Sequence, residues 1–142
     1  MLFGKRERRI RRILIVEDEP LVAFDNEYML QDAGYEVVAT VDSFAAAAEA
    51  IAAGPIDLVL TDLSLAGAGD GTDVARAARA KGVAVLFVTG HSTADVEDLA
   101  LGCLTKPYSE RVLLGALDAI DGHIQGRKPR KIPEQLTLYV RA

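Results

Sequence analysis

The sequence holds a single cysteine, Cys103, and no stretch that approaches the roughly 18 consecutive apolar residues of a membrane span. One thiol excludes an internal disulfide, and no Cys/His spacing resembles a zinc site. The basic residues 5–12 precede the apolar run Ile13-Leu14-Ile15-Val16, which resembles the opening of a signal peptide. That run stops at once on Glu17-Asp18-Glu19. The expectation is a cytoplasmic protein with no membrane association.

At 142 residues, half of them apolar and 26% charged, the chain has enough apolar material for one sizeable core and too little for two ordinary domains. The net charge of −5 conceals a separation. Residues 13–110 carry 17 acidic and 4 basic side chains, which leaves 12 basic and 4 acidic at the two ends. An acidic middle repels nucleic acid and suits a divalent cation or a basic partner surface, so no nucleic acid is expected as a ligand.

From residue 11 onward, short runs rich in Val, Ile and Leu alternate with stretches of helical periodicity, the pattern of a parallel sheet with crossover helices. Strands are expected at 11–16, 36–41, 58–61, 84–88 and 102–105, and helices at 20–33, 43–53, 71–81, 93–100 and 109–121. Pro20 suits a first helical position, Gly34 a helix end, and Ser43 and Ser109 are N-cap residues. Five βα units in about 110 residues are too few for a TIM barrel, which needs about 250. The fold expected is a flavodoxin-like, doubly wound five-stranded parallel sheet in the order 2-1-3-4-5 with helices on both faces. It would occupy residues 12–121, between a basic arm at 1–11 and a tail at 122–142. Both flanks read as solvated, although 136–140 alternates as a short docking strand would.

In such sheets the ligand site lies beyond the carboxyl ends of the strands. Those positions hold Glu17 and Asp18, then Asp62, then Thr89-Gly90, then Lys106-Pro107. Taken singly, each has an ordinary structural role as a helix-start acid, a turn residue or a solvated lysine. Together, three carboxylates in one crevice repel one another unless protonated or shared by a cation, and their oxygens suit Mg²⁺. A hydroxyl and an ammonium complete a set fit for phosphoryl transfer, with Asp62 as the nucleophile.

The segments Ile-Leu-Ile-Val-Glu-Asp-Glu-Pro, Leu-Val-Leu-Thr-Asp-Leu, Leu-Phe-Val-Thr-Gly and Leu-Thr-Lys-Pro-Tyr resemble, as an ordered set, the receiver domain of bacterial two-component response regulators. The resemblance implies Asp62 as phosphoacceptor, and Glu17, Asp18, Asp62 and the Ser64 carbonyl as Mg²⁺ ligands. It implies Thr89 and Gly90 at the switch, Lys106 as phosphate counter-ion and a cis peptide at Lys106-Pro107. Two positions depart from the usual pattern: Glu17 stands where Asp is commoner, and Cys103 replaces the usual aromatic. Thr89-Gly90 near Phe87, with Tyr108 after Lys106-Pro107, is similar to alphaproteobacterial single-domain receivers of the Phe-Ala-Thr-Gly motif type. Without an aromatic at Cys103, readout is expected through packing of Phe87, His91 and Tyr108.

The function implied is a stand-alone, non-enzymatic receiver. It would take a phosphoryl group from a histidine kinase or histidine phosphotransfer protein and signal to a downstream protein, by partner binding, relay or homodimerisation. An unphosphorylated scaffold of the same fold is the alternative. An aspartyl-phosphate phosphatase is disfavoured because Ser64 stands where its second Asp would be. A flavin carrier is disfavoured because the loop after the first strand is acidic.

Overall fold

The structure is a computed structural model that describes residues 7–65, 67–90, 96–128 and 131–139. Its elements run β1 (Arg12–Val16), α1 (Pro20–Asp32), β2 (Glu36–Val41), α2 (Phe44–Ala53), β3 (Leu58–Asp62), α3 (Gly71–Ala80), β4 (Ala84–Thr89), β5 (Gly102–Thr105), α4 (Glu110–Ile124) and β6 (Leu136–Leu138). They build one sheet in the order β2-β1-β3-β4-β5-β6. The first five strands are parallel in the expected 2-1-3-4-5 order, and β6 joins the β5 edge antiparallel.

The period-two alternation of the strands divides the core into two layers. Ile13, Ile15, Leu58, Leu60, Leu86, Val88 and Leu104 face one side, against Leu30 of α1 and Leu113, Leu117 and Ile120 of α4. Leu14, Val16, Val59, Val85, Phe87 and Cys103 face the other, against Ala47 and Ile51 of α2 and Val74, Ala75 and Ala78 of α3. Both faces are covered, so β3 is buried throughout and β1 and β4 are buried except at their first residues, Arg12 and Ala84.

Local chemistry sets the helix starts. The Ser43 hydroxyl accepts from the Ala46 amide and the Ser109 hydroxyl from the Val112 amide, each at 3.2 Å. Asp70 and Asp73 form a reciprocal capping box at α3. Among the described residues no helix covers 96–100, where a helix over 93–100 was expected; residues 91–95 lie outside those described. Val96 to Ala100 make a turn, with the Leu99 amide on the Val96 carbonyl and the Asp98 carbonyl held by the Arg79 guanidinium. An eight-residue helix there would be marginal alone, and Glu97 and Asp98 near its C-terminal end would oppose its dipole.

The described parts of the flanks are not free arms. Arg8 lies over the Tyr35 ring at 4.3 Å and donates to the Ala33 carbonyl. Ile10 is fully buried. The buried Asp121 carboxylate accepts from the Arg9 amide at 3.0 Å and the Ile10 amide at 3.1 Å, and Asp57 accepts from the Arg11 and Arg12 amides at 3.0 and 2.8 Å. Two carboxylates thus receive the backbone donors that lead into β1. At the other end α4 runs on to Ile124, three residues past its expected stop. No helix among the described residues is long and apolar enough to cross a membrane.

Burial raises the Asp57 carboxyl, but the Arg12 and Arg11 amides and the Arg12 guanidinium outweigh it and hold the group below its ordinary value. Its contribution to stability is therefore fully present above about pH 4, the unfolded-state value, and is lost as pH falls through the lower folded-state value. Urea unfolding is expected to show the gap between wild type and Asp57→Asn closing at acid pH. Asp121→Ala strands the buried Ile10 amide and the partly buried Arg9 amide, and is expected to cost about 2–3 kcal/mol in the same assay at neutral pH.

Candidate functional site

The carboxyl ends of β1, β3, β4 and β5 come together at one end of the sheet, and the backbone ties them in place. The Glu17 amide donates to the Val41 carbonyl at 2.9 Å, the Leu63 amide to the Val88 carbonyl at 3.0 Å and the Lys106 amide to the Thr89 carbonyl at 2.8 Å. Each tie crosses between neighbouring strands just where a site residue stands, so the side chains inherit the rigidity of the sheet. Gly71 adds a close approach: a Cβ there would lie 2.2 Å from the Asp62 carbonyl oxygen, and its amide bonds the Leu63 carbonyl at 3.0 Å. Only glycine lets α3 begin against the end of β3.

Glu17, Asp18 and Asp62 each place a carboxylate oxygen within 4.8 Å of the others. Glu17 and Asp62 are buried. Lys106 answers their charge, with its Nζ 2.9 Å from Glu17 Oε1, 2.9 Å from Asp62 Oδ2 and 3.6 Å from Glu19 Oε1. The remaining oxygens are also engaged: Asp62 Oδ1 accepts from the Ser64 amide at 3.1 Å and Glu17 Oε2 from the Glu19 amide at 3.1 Å.

Burial raises the Glu17 carboxyl above its ordinary value, more than the Lys106 bond and the Glu19 amide lower it. For Lys106 the balance goes the other way. Burial disfavours its charge, yet the bonds to Asp62 and Glu17 outweigh that and hold its proton more tightly than usual. The ammonium is therefore a fixed positive charge, and three clustered acids form the hard oxygen donor set that a divalent cation takes. That donor set fits Mg²⁺, with Glu17, Asp18 and Asp62 as the residues that would hold it.

Thr89 is buried at the end of β4, in register with Thr105, and Gly90 follows it exposed. The Lys106-Pro107 peptide is cis. Ser64 is brought in through its amide; its side chain is exposed. The residues named for readout are divided. Phe87 and Cys103 are register partners in the α2/α3 layer, whereas Tyr108 packs in the α1/α4 layer and donates to Asn26 Oδ1 at 2.9 Å. They do not form one cluster, because Phe87 points to the opposite face of the sheet. His91 lies outside the described residues. Burial pushes the Tyr108 phenol up to about 12, more than Asn26 lowers it, so it stays a neutral donor.

Sequence reasoning missed four contributors. Glu19 adds a third carboxylate near Lys106, Asn26 receives Tyr108, Gly71 admits α3, and Asp121 anchors the entry to β1. Gly71 had a signal, since a glycine at a helix start after an Asp-ended strand implies close backbone approach. The Asn26–Tyr108 pair spans 82 residues and had none.

The family model for the response regulator receiver domain matches residues 13–118. The chain belongs to the response regulator receiver family. It is similar to the sensory transduction protein RegX3 of Mycobacterium tuberculosis, 40% identical over 114 residues, which cover 76% of this chain and 49% of that protein. The transcriptional regulatory protein PdtaR of the same organism is 32% identical over 76% of this chain and 55% of its own length. The receiver thus spans about half the length of these curated relatives. Among solved structures, SdrG from Sphingomonas melonis Fr1 matches with TM-score 0.67 and 35% identity, over 80% of this chain and 98% of that one. The receiver domain of the sensor histidine kinase PA1611 from Pseudomonas aeruginosa PAO1, which has a magnesium ion in its active-site cleft, matches with TM-score 0.69 and 25% identity. That match covers 80% of this chain and 98% of the other.

Lys106→Met removes the cation shared by two buried carboxylates. It is expected to lower stability by about 2 kcal/mol without metal. Added Mg²⁺ should then raise the melting temperature of this variant more than that of wild type, because no ammonium competes for the oxygens. Thermal unfolding with and without Mg²⁺ checks both effects.

Proposed function

We propose that Asp62 accepts a phosphoryl group from a phosphohistidine on a histidine kinase or histidine phosphotransfer protein, and that the receiver then signals by altered protein binding or by relay. The observation that carries this reading is the Asp62 carboxylate held between the Lys106 ammonium and the Ser64 amide, in a cluster of three acids. In the transfer the donor N–P bond breaks and a bond forms from an Asp62 oxygen to phosphorus. The ring leaves as neutral imidazole, keeping the proton on its other nitrogen, and an acyl phosphate remains.

This chain's residues position and neutralise rather than act as acids or bases. Lys106 would exchange its Asp62 contact for phosphoryl oxygens, and the Thr89 hydroxyl would follow them. Glu17, Asp18, Asp62 and the Ser64 carbonyl would hold Mg²⁺, as the similar Pseudomonas aeruginosa receiver holds magnesium in its cleft. When bound, the cation neutralises charge on the transferring group. A surface for the donor protein lies alongside on α1, where Leu21, Phe24 and Tyr28 are 80%, 68% and 61% exposed. These three lie one and two turns apart on one side of a helix that has acids and no basic residue.

The same reading makes the protein a cytoplasmic signalling unit rather than an enzyme, of the alphaproteobacterial type that its Thr89-Gly90 and Lys106-Pro107-Tyr108 resemble. Tyr108 is the readout residue the geometry favours, since it joins Asn26 of α1 two residues from Lys106. Tyr108→Ala is expected to weaken partner binding while phosphoryl uptake continues, as a paired pull-down and uptake assay would show.

Intact-mass analysis with acetyl phosphate tests the chemistry. A single phosphoryl adduct is expected on wild type in the presence of Mg²⁺, and none without Mg²⁺ or on Asp62→Asn. If small donors and phosphorylated histidine kinases both leave wild type unmodified, the unphosphorylated scaffold is the correct reading.

A further inference from the structure

β5 would be the edge of this parallel sheet, and the chain covers it with its own tail. The Thr105 amide donates to the Gln135 carbonyl at 3.0 Å and the Tyr139 amide to the Leu101 carbonyl at 2.9 Å, with Cys103 opposite Thr137 between them. Since antiparallel pairs alternate, Cys103 and Thr137 occupy the intervening hydrogen-bonded position. Leu136 is buried with Leu104 and Ile120, while Tyr139 packs on the other side of the sheet.

The surface beneath is shaped for this segment. A Cβ on Gly102 would stand 2.6 Å from the Thr137 carbonyl oxygen, so the tail backbone comes in where a side chain would be. On α4, a Cβ at Gly115 would meet Pro133 at 3.1 Å. Glycine is among the poorest helix formers, and inside a 15-residue helix it needs a reason. The Pro133 contact supplies one. Yet β6 is only three residues long and joined through one edge, which places it among the segments that open before the rest of a fold does.

We propose that residues 133–139 are a displaceable strap, seated in cis on a strand-docking surface made by the β5 edge and the Gly115 side of α4. The partner that replaces it is an extended segment of another protein with the same apolar-polar-apolar pattern, bound by strand addition. The surface needs no phosphorylation of Asp62 to exist, but it shares β5 with the site. Thr105, which bonds the strap, is the residue before Lys106. An occupant of this edge and a phosphoryl group on Asp62, which would draw on Lys106, therefore meet at the same carboxyl-terminal end of one short strand.

The probe is a labelled peptide of residues 131–142, titrated by fluorescence anisotropy against the full chain and its Thr137→Pro variant, each shown to be folded by a cooperative thermal transition. The proline removes a ladder donor and unseats the strap, so the variant is expected to bind the peptide about tenfold or more tighter than wild type. A peptide carrying the same proline is expected to bind neither protein. Equal affinity for both proteins, or binding to neither, overturns the proposal. Native-state amide exchange on wild type decides independently of how the variant folds. The Thr105 and Tyr139 amides are expected to exchange about tenfold or more faster than Leu60 in β3, and exchange at the same rate as Leu60 overturns the proposal.

Discussion

Everything at the functional end of the sheet depends on one ammonium group. Glu17, Asp18 and Asp62 are pressed together by strand ends that have no freedom to separate, and two of the three are buried. Such a cluster is unfavourable without a compensating charge. Lys106 supplies it from β5, and its own charge is secured by the acids it neutralises. The arrangement is thus balanced and poised at once. The cation that stabilises the resting cluster is also the group best placed to follow new negative charge on Asp62.

The rest of the fold makes that balance possible by fixing the strand ends. Backbone bonds between neighbouring strands stand beside Glu17, Asp62 and Lys106, Gly71 lets α3 close against β3, and Asp57 and Asp121 hold the chain where it enters β1. Carboxylates serve opposite purposes at the two ends of the sheet. At the entry end each one is satisfied by backbone amides and adds to stability. At the exit end they are crowded around one lysine, in the cluster proposed to accept the phosphoryl group. The tail then closes the exposed side of β5, the strand that leads into Lys106.

Much of this was legible in the sequence because it depends on local signals. The apolar runs marked all five parallel strands to within one residue, and Ser43 and Ser109 marked helix starts that the structure caps with those hydroxyls. The strand-end rule brought Glu17, Asp18, Asp62, Thr89 and Lys106 together before any coordinates. What escaped depended on distant partners. The pairing of Asn26 with Tyr108 and of Asp121 with the Arg9 and Ile10 amides joins residues far apart in the chain, and Asp121 looked like the last residue of a helix. Residues 96–100 form a turn because their acids sit at the wrong end for a helix dipole. Phe87 and Tyr108 could be placed near one site, but which face of the sheet each took followed from strand register.

The most direct test of the charge-balanced cluster as a phosphoryl acceptor is to locate the modified residue. An acyl phosphate is reduced by borohydride, so treatment of the phosphorylated chain followed by peptide sequencing by mass spectrometry reports which carboxylate carried the group. Conversion of Asp62 to homoserine, with Glu17 and Asp18 unchanged, is the expected result. Reduction at Glu17 or Asp18, or at none of the three, would contradict the assignment of Asp62 as the nucleophile and Lys106 as its counter-ion.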